Sequence, residues 1–209
     1  MYKVVRNAIS KDLAGVCYDY LQLRREVAKV YFTTGYQHPD SVDWGHFTDP
    51  DYPGAYHYYS DVLLETLLTK VQPIIEKEMG LTLYPHYSFG RIYIKGNILE
   101  RHKDRPACEI SATLNLGGDP WPIFLGPSGK EGTTGVSVLL EPGDLLTYEG
   151  VKLEHWRERF EGENCTQVFF HYGNVLAEKA EEHKNDGRPF LGLPYYYQGF
   201  KLDDNYNRS

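Results

Sequence analysis

Cysteine is scarce in this chain. Its 209 residues hold three, Cys17, Cys108 and Cys165, too far apart for a disulfide framework or a zinc-binding spacing. Reduced thiols of this kind set the expectation of a cytoplasmic protein. Positive charge is short as well. The 22 Lys and Arg stand against 29 Asp and Glu, a formal net charge of −7, which excludes general nucleic-acid binding because phosphate wants a basic face. No apolar run approaches a membrane span, so no membrane partner is expected. The stretch Met1 to Arg6 lacks the apolar core of a secretory signal, and no internal repeat is present. Tyrosine is abundant instead, with 18 copies, enough to cover a core and to line a polar cleft.

The first 80 residues carry helical periodicity. Ser10 to about Phe32 places Leu13, Val16, Cys17, Tyr20, Leu21 and Val27 at helical spacing, with Ser10 as N-cap and Gly35 as the stop. Gly35 to Ala55 reads as a long loop with Pro39, Pro50 and Pro53, either a lid or an irregular cover over the core. A second helix is expected from about His57 to Met79, kinked or broken near Gln72 by Pro73 and closed by Gly80.

From Leu81 the pattern turns to short strands: Leu81–Tyr84, Tyr87–Lys95, Glu109–Leu116, Pro122–Leu125, Val136–Leu140, Leu145–Tyr148, Val151–Arg159 and Cys165–Tyr172. Glycine and proline turns separate most of them, the signature of a sandwich or barrel. Two helices followed by about eight strands predict an α+β fold with the helices on one sheet face. One domain is expected over 1–175, with helices in 10–80 and strands in 81–172. Residues 176–209 read as a charged and Tyr-rich tail. Glu178, Lys179, Glu181, Glu182, Lys184 and Asp186 suggest a short exposed helix, and Pro194 to Tyr197 lies in a weakly ordered tail or an arm against a neighbouring surface.

Taken alone, His102-Lys103-Asp104 is a commonplace polar pair, and a lone His155 is more often a satisfied core histidine. Together they form a set. Positions i and i+2 of an extended chain share a face, so His102 and Asp104 can aim at one point. Alternation puts His155 and Arg157 on a common face with Val151 and Leu153. Two histidines and a carboxylate are the facial triad of non-haem Fe(II) oxygenases. A buried His and Arg side by side also call for an anionic partner.

The order of helices, strand, His-x-Asp, about fifty residues and a further His resembles the 2-oxoglutarate/Fe(II)-dependent dioxygenases. Within them the chain is most similar to the prolyl-4-hydroxylase-like branch. The motifs are Tyr93-x-x-Gly96 with Arg101-His102-Lys103-Asp104, Pro142-Gly143-Asp144-Leu145-Leu146 and Glu154-His155-Trp156-Arg157. The resemblance covers His57 to Tyr172 and implies a double-stranded β-helix (jelly roll) core with two N-terminal buttressing helices. It implies an oxidoreductase that uses Fe(II), 2-oxoglutarate and O2, with ascorbate as an accessory, to hydroxylate an unactivated C–H bond in a small molecule or a peptide, a prolyl residue among them.

The same resemblance makes His102, Asp104 and His155 the iron ligands. It makes Tyr93 a contact to the C5 carboxylate of 2-oxoglutarate, with Ser111 and Thr113 as further cosubstrate contacts. One feature departs from the family. The usual cation about ten residues after the distal histidine is missing, and Asn164, Cys165, Thr166 and Gln167 stand there. Arg157 is the first candidate to replace it and Arg91 the second, while Arg105 beside the ligand loop can hold substrate. Two other readings stand beside this one: a non-catalytic, cupin-like jelly-roll binding module, and a cupin-type enzyme with another metal and no cosubstrate.

Overall fold

The computed structural model describes residues 1–38, 41–128, 130, 133–178 and 180–202. Pro39, Lys179 and the end of the tail lie outside them. A short strand, β1 (Tyr2–Val5), precedes α1 (Lys11–Thr34). Ser10 caps that helix, accepting from the Leu13 N–H at 3.2 Å, and Gly35 closes it in the left-handed region at φ 67°. Among the described residues of 35–55, the chain is irregular apart from a single bridge between His46 and His57.

The second helix starts later than its periodicity suggests. Tyr56–Tyr59 forms β2, and α2 runs over Val62–Met79. The aromatic run Tyr-His-Tyr-Tyr pairs as an edge strand. Asp61 then begins the helix, its carboxylate accepting from the Leu63 and Leu64 N–H groups at 2.8 and 3.2 Å. Of the kink or break expected near Gln72, the break does not occur: α2 runs on through Pro73. Leu68, Val71, Ile75 and Met79 are all buried, and burying four aliphatic side chains at about 1.5–3 kcal/mol each outweighs the roughly 3 kcal/mol of an internal proline.

Nine further elements follow: β3 (Leu83–Ile94), β4 (Leu99–His102), β5 (Ile110–Gly118), β6 (Ile123–Gly126), β7 (Val136–Val138), β8 (Leu145–Glu149), β9 (Glu154–Arg157), β10 (Asn164–Asn174) and α3 (Ala180–His183). The two strands expected over 81–95 are thus one. Its Pro85 sits at a bulge, where Tyr172 pairs with Pro85 and His171 with Tyr87, leaving His86 over. The strand expected over Val151–Arg159 is shorter, and Arg159 is exposed beyond its end.

The strands form two antiparallel sheets, β1-β8-β5-β10-β3-β2 and β4-β9-β6-β7. Alternation divides the larger sheet. Ile92, Leu114, Val168 and Phe170 join Leu21, Leu64 and Leu68 of the helices in one core cluster. Leu146 and Tyr148 join Ile123, Leu125 and Val138 of the smaller sheet in a second. The result is α+β, with helices on one face of the larger sheet and the smaller sheet on the other. No helix among the described residues is long and apolar enough to cross a membrane.

Two polar anchors tie the ends of the chain to this frame. Asp144 of the Pro-Gly-Asp motif accepts from Arg6 Nη1 at 2.6 Å and from the backbone N–H groups of Asn7 and Glu141 at 3.0 and 2.9 Å. At the other end the charged segment is a helix of four residues only. Arg188 then runs inward with its side chain fully buried, and its Nη2 meets Glu65 Oε1 of α2 at 2.9 Å. Arg188 also donates to Ser60, to the Leu193 carbonyl and to the His86 carbonyl.

Candidate active site

His102 ends β4 and His155 lies opposite it on β9. Asp104 falls just past the end of β4, so the two motif residues do not share one strand. A backbone bond instead holds Asp104, its N–H donating to the Gly150 carbonyl at 3.0 Å. One ligand atom from each of the three lies within 4.8 Å of the others. The Nε2 atoms of His102 and His155 stand 3.7 and 3.5 Å from Asp104 Oδ1.

The hydrogen-bond pattern fixes what these atoms offer. His102 Nδ1 lies 2.7 Å from the Glu100 carbonyl, and His155 Nδ1 lies 3.1 Å from the Leu153 carbonyl. A carbonyl only accepts, so each Nδ1 carries a proton and each ring turns its Nε2 toward Asp104, offering a lone pair there when the ring is neutral. Two lone pairs and a carboxylate oxygen converging at separations too long for good hydrogen bonds need a cation among them. A metal ion fits that donor set. The carboxylate draws positive charge to this point, which a proton on a histidine supplies where a metal does not. The Asp104 carboxylate raises His102 above its ordinary range. Burial pushes the Asp104 carboxyl up, but the two histidines outweigh it and hold it well below the usual carboxylate range.

These side chains open onto a cavity of about 320 Å³ that is also lined by Asp49, Tyr52, Tyr87, Arg91, Tyr93, Arg105, Tyr148 and His171, among others. A groove of about 520 Å³ continues from His102 past Tyr52, Asp51 and Glu100. Among the sequence candidates, the structure brings Tyr93, Arg91 and Arg105 to the cavity wall. Arg91 is already paired, its Nη2 2.6 Å from Asp49 Oδ2. Arg105 is exposed at the rim and donates to the Tyr87 hydroxyl at 3.0 Å.

Three candidates sit elsewhere. Thr113 is buried and does not line the cavity. Ser111 is also off the wall, and its hydroxyl donates to Asp104 Oδ2 at 2.5 Å. Arg157 is 1% exposed and lies behind the wall. Its Nη1 donates to the Trp121 carbonyl, its Nη2 donates to Gln167 Oε1 at 2.7 Å, and its Nε has no partner. Among the described residues no carboxylate pairs with it. Burial pushes its pKa down, and the tyrosines 93, 148 and 52 of the cavity wall are near enough to feel its charge.

Sequence reasoning missed Asp49, Tyr148 and His171. His171 had a usable signal, since Gln167, Phe169 and His171 alternate onto the face opposite Val168 and Phe170. Asp49 had none, because nothing local predicts where an irregular loop folds back.

No protein-family model and no curated protein sequence matches the chain. Solved structures do. AviO1 from Streptomyces viridochromogenes superposes with a TM-score of 0.60 at 15% identity, over 86% of this chain and 92% of that one. HygX from Streptomyces hygroscopicus, solved with nickel, 2-oxoglutarate and hygromycin B bound, gives 0.57 at 14% identity, over 84% and 83%. A prolyl-4-hydroxylase from Pseudomonas putida gives 0.54 at 16% identity, over 83% and 92%. The chain therefore has the fold of the 2-oxoglutarate-dependent oxygenases.

Proposed function

We propose that the protein is an Fe(II)- and 2-oxoglutarate-dependent dioxygenase that hydroxylates a C–H bond of a small molecule or a peptide. The observation that carries this reading is the convergence of three metal-ligand atoms beside a cavity that has an unpaired buried guanidinium behind its wall. In this reading the two sheets are the double-stranded β-helix, α1 and α2 buttress it, residues 1–175 are the oxygenase unit and 176–209 an appendage.

His102 and His155 hold the ion through Nε2, and Asp104 holds it through a carboxylate oxygen. Bound Fe(II) supplies the coupling of 2-oxoglutarate and O2 to substrate oxidation, giving succinate, CO2 and the hydroxylated product. Arg157 receives the C5 carboxylate of 2-oxoglutarate with the help of Tyr93. A dicarboxylate buried without a cation is costly, and this arginine is the buried cation left without an anion. Arg91 is the weaker candidate because Asp49 already neutralises it. Arg105 at the rim faces the substrate. Peptidyl proline is one substrate suggested by the likeness to the P. putida enzyme. A non-catalytic binding module gives no reason for two histidines and a carboxylate to converge beside this cavity.

Titrating purified protein with Fe(II) and then 2-oxoglutarate, with succinate followed alongside, tests the reading. His102→Ala, Asp104→Ala and His155→Ala should each weaken metal binding by about 100-fold or more, since loss of a supporting outer contact alone typically costs 10–100-fold, with the circular-dichroism spectrum kept. Unchanged metal affinity in all three would sink the assignment.

A further inference from the structure

We propose that Ser111, oriented by His171, is a positioning residue that makes Asp104 present a single oxygen, Oδ1, to the metal. The inference rests on the Fe(II) reading above. It starts from proton bookkeeping. The Ser111 hydroxyl has one proton and three neighbours: Asp104 Oδ2 at 2.5 Å, the Cys108 carbonyl at 3.2 Å and His171 Nδ1 at 3.1 Å. The shortest contact is to a charged acceptor, so the proton goes to Asp104. With its proton committed, the hydroxyl can only accept from His171. That fixes the proton of His171 on Nδ1.

Packing holds each member of the chain in place. Ser111 is 1% exposed on β5. His171 stands opposite it on β10, and its ring rests against Tyr87 with centroids 4.6 Å apart. Burial holds His171 down at about 4, which keeps the ring neutral, as the tautomer requires. Gly150 closes the remaining side. A Cβ there would overlap Asp104 Oδ2, the Cys108 carbonyl and Ser111 Oγ, so any larger residue displaces the carboxylate. Oδ2 is thus enclosed by a donor and a glycine, while Oδ1 faces the two Nε2 atoms. A free carboxylate can take an ion with both oxygens. Tied in this way it uses one, and the position saved stays open.

The test uses Mn(II) and the full chain without 2-oxoglutarate, and reads both affinity and the water-proton relaxivity per bound ion. Wild type should bind Mn(II); a folded wild type that does not would overturn the metal reading and this inference together. Ser111→Ala should keep the affinity to within a few-fold or tighten it, while relaxivity drops by about one third, from about three open positions to about two. Ser111→Thr, which restores the hydroxyl, should return relaxivity to the wild-type value. Wild-type relaxivity in Ser111→Ala, or a drop that Ser111→Thr does not reverse, overturns the inference and leaves the metal reading standing. Should Ser111→Ala fail to fold, His171→Phe keeps the packing on Tyr87 but removes the donor. A lower relaxivity there supports the proposal, and an unchanged one overturns it.

Discussion

Arg188, against α2, and Arg157, on β9 of the smaller sheet, are both buried arginines, and they differ in what surrounds them. Arg188 meets the Glu65 carboxylate, three backbone carbonyls and a serine hydroxyl. Arg157 has one carbonyl, one side-chain amide and an idle Nε. A guanidinium offers five donors in a rigid fork. Where the fold fills that fork, the residue is a fastener. Where it leaves the fork part empty near a cavity, the proposed function supplies the partner, a ligand with negative charge.

Substitution should split the pair. The largest effect belongs to Arg188→Met, which leaves the Glu65 carboxylate buried without its cation. Losing one partner of a buried pair costs about 3–5 kcal/mol, so urea unfolding should show a loss of that order, with 2-oxoglutarate affinity intact in the protein that remains folded. Arg157→Met should do the opposite. Removing one partner of a buried charge pair costs about 2 kcal/mol or more in binding, roughly a 30-fold weaker 2-oxoglutarate affinity by calorimetry. Its urea midpoint should hold or rise, since an unpaired charge has left the interior. Equal losses of stability in the two variants would erase the distinction.

The smallest effect is one of pH and belongs to His57 on β2, which lies beside Arg91. Burial pushes its pKa down to about 3, with His46 and Arg91 adding to the shift. The folded protein refuses a proton that the unfolded chain takes up below about 6.5. The stability His57 contributes is therefore complete above about 6.5 and is lost as pH falls from there toward 3. Between pH 7 and 5 its share of the loss should be about 1–2 kcal/mol, measured by urea unfolding, and His57→Phe should shrink the total decline by that amount, leaving the share of His171, which burial also holds down. A wild type and variant that decline in parallel would exclude His57 as the source.

The grouping of His102, Asp104 and His155 was legible in the sequence because its spacing survives without knowledge of the third dimension. His102, Asp104 and His155 flank turns that the sequence marks plainly. The α+β order was legible for the same reason. The short strands β1, β2 and β4 were not. Four residues such as Tyr56–Tyr59 are strand only because β3 supplies hydrogen bonds to them, and their aromatic run merges with the stripe of the helix behind. The Asp61 N-cap was the signal that separates the two. Ser111 was expected to face the cosubstrate, and its hydroxyl turns to Asp104, because a strand hydroxyl announces its face but not its acceptor. Asp49 reaches Arg91 across 42 positions, a distance at which local pattern carries no information.

The bulge at His86 gives β3 something like a reading frame. On the far side of it Tyr87, Arg91 and Tyr93 read inward to the cavity, while Gly90 and Ile92 read outward to the helices. Point substitutions in this segment change one letter of the cavity. Insertion or deletion of one residue between 87 and 93 shifts the frame: it would bring Gly90 and Ile92 inward and press the Arg91 cation against Leu21 and Leu64. The looped-out His86 is where such a shift could be compensated, because one residue there is already outside the pairing. The length of this strand is therefore more tightly constrained than the identity of any one side chain on it.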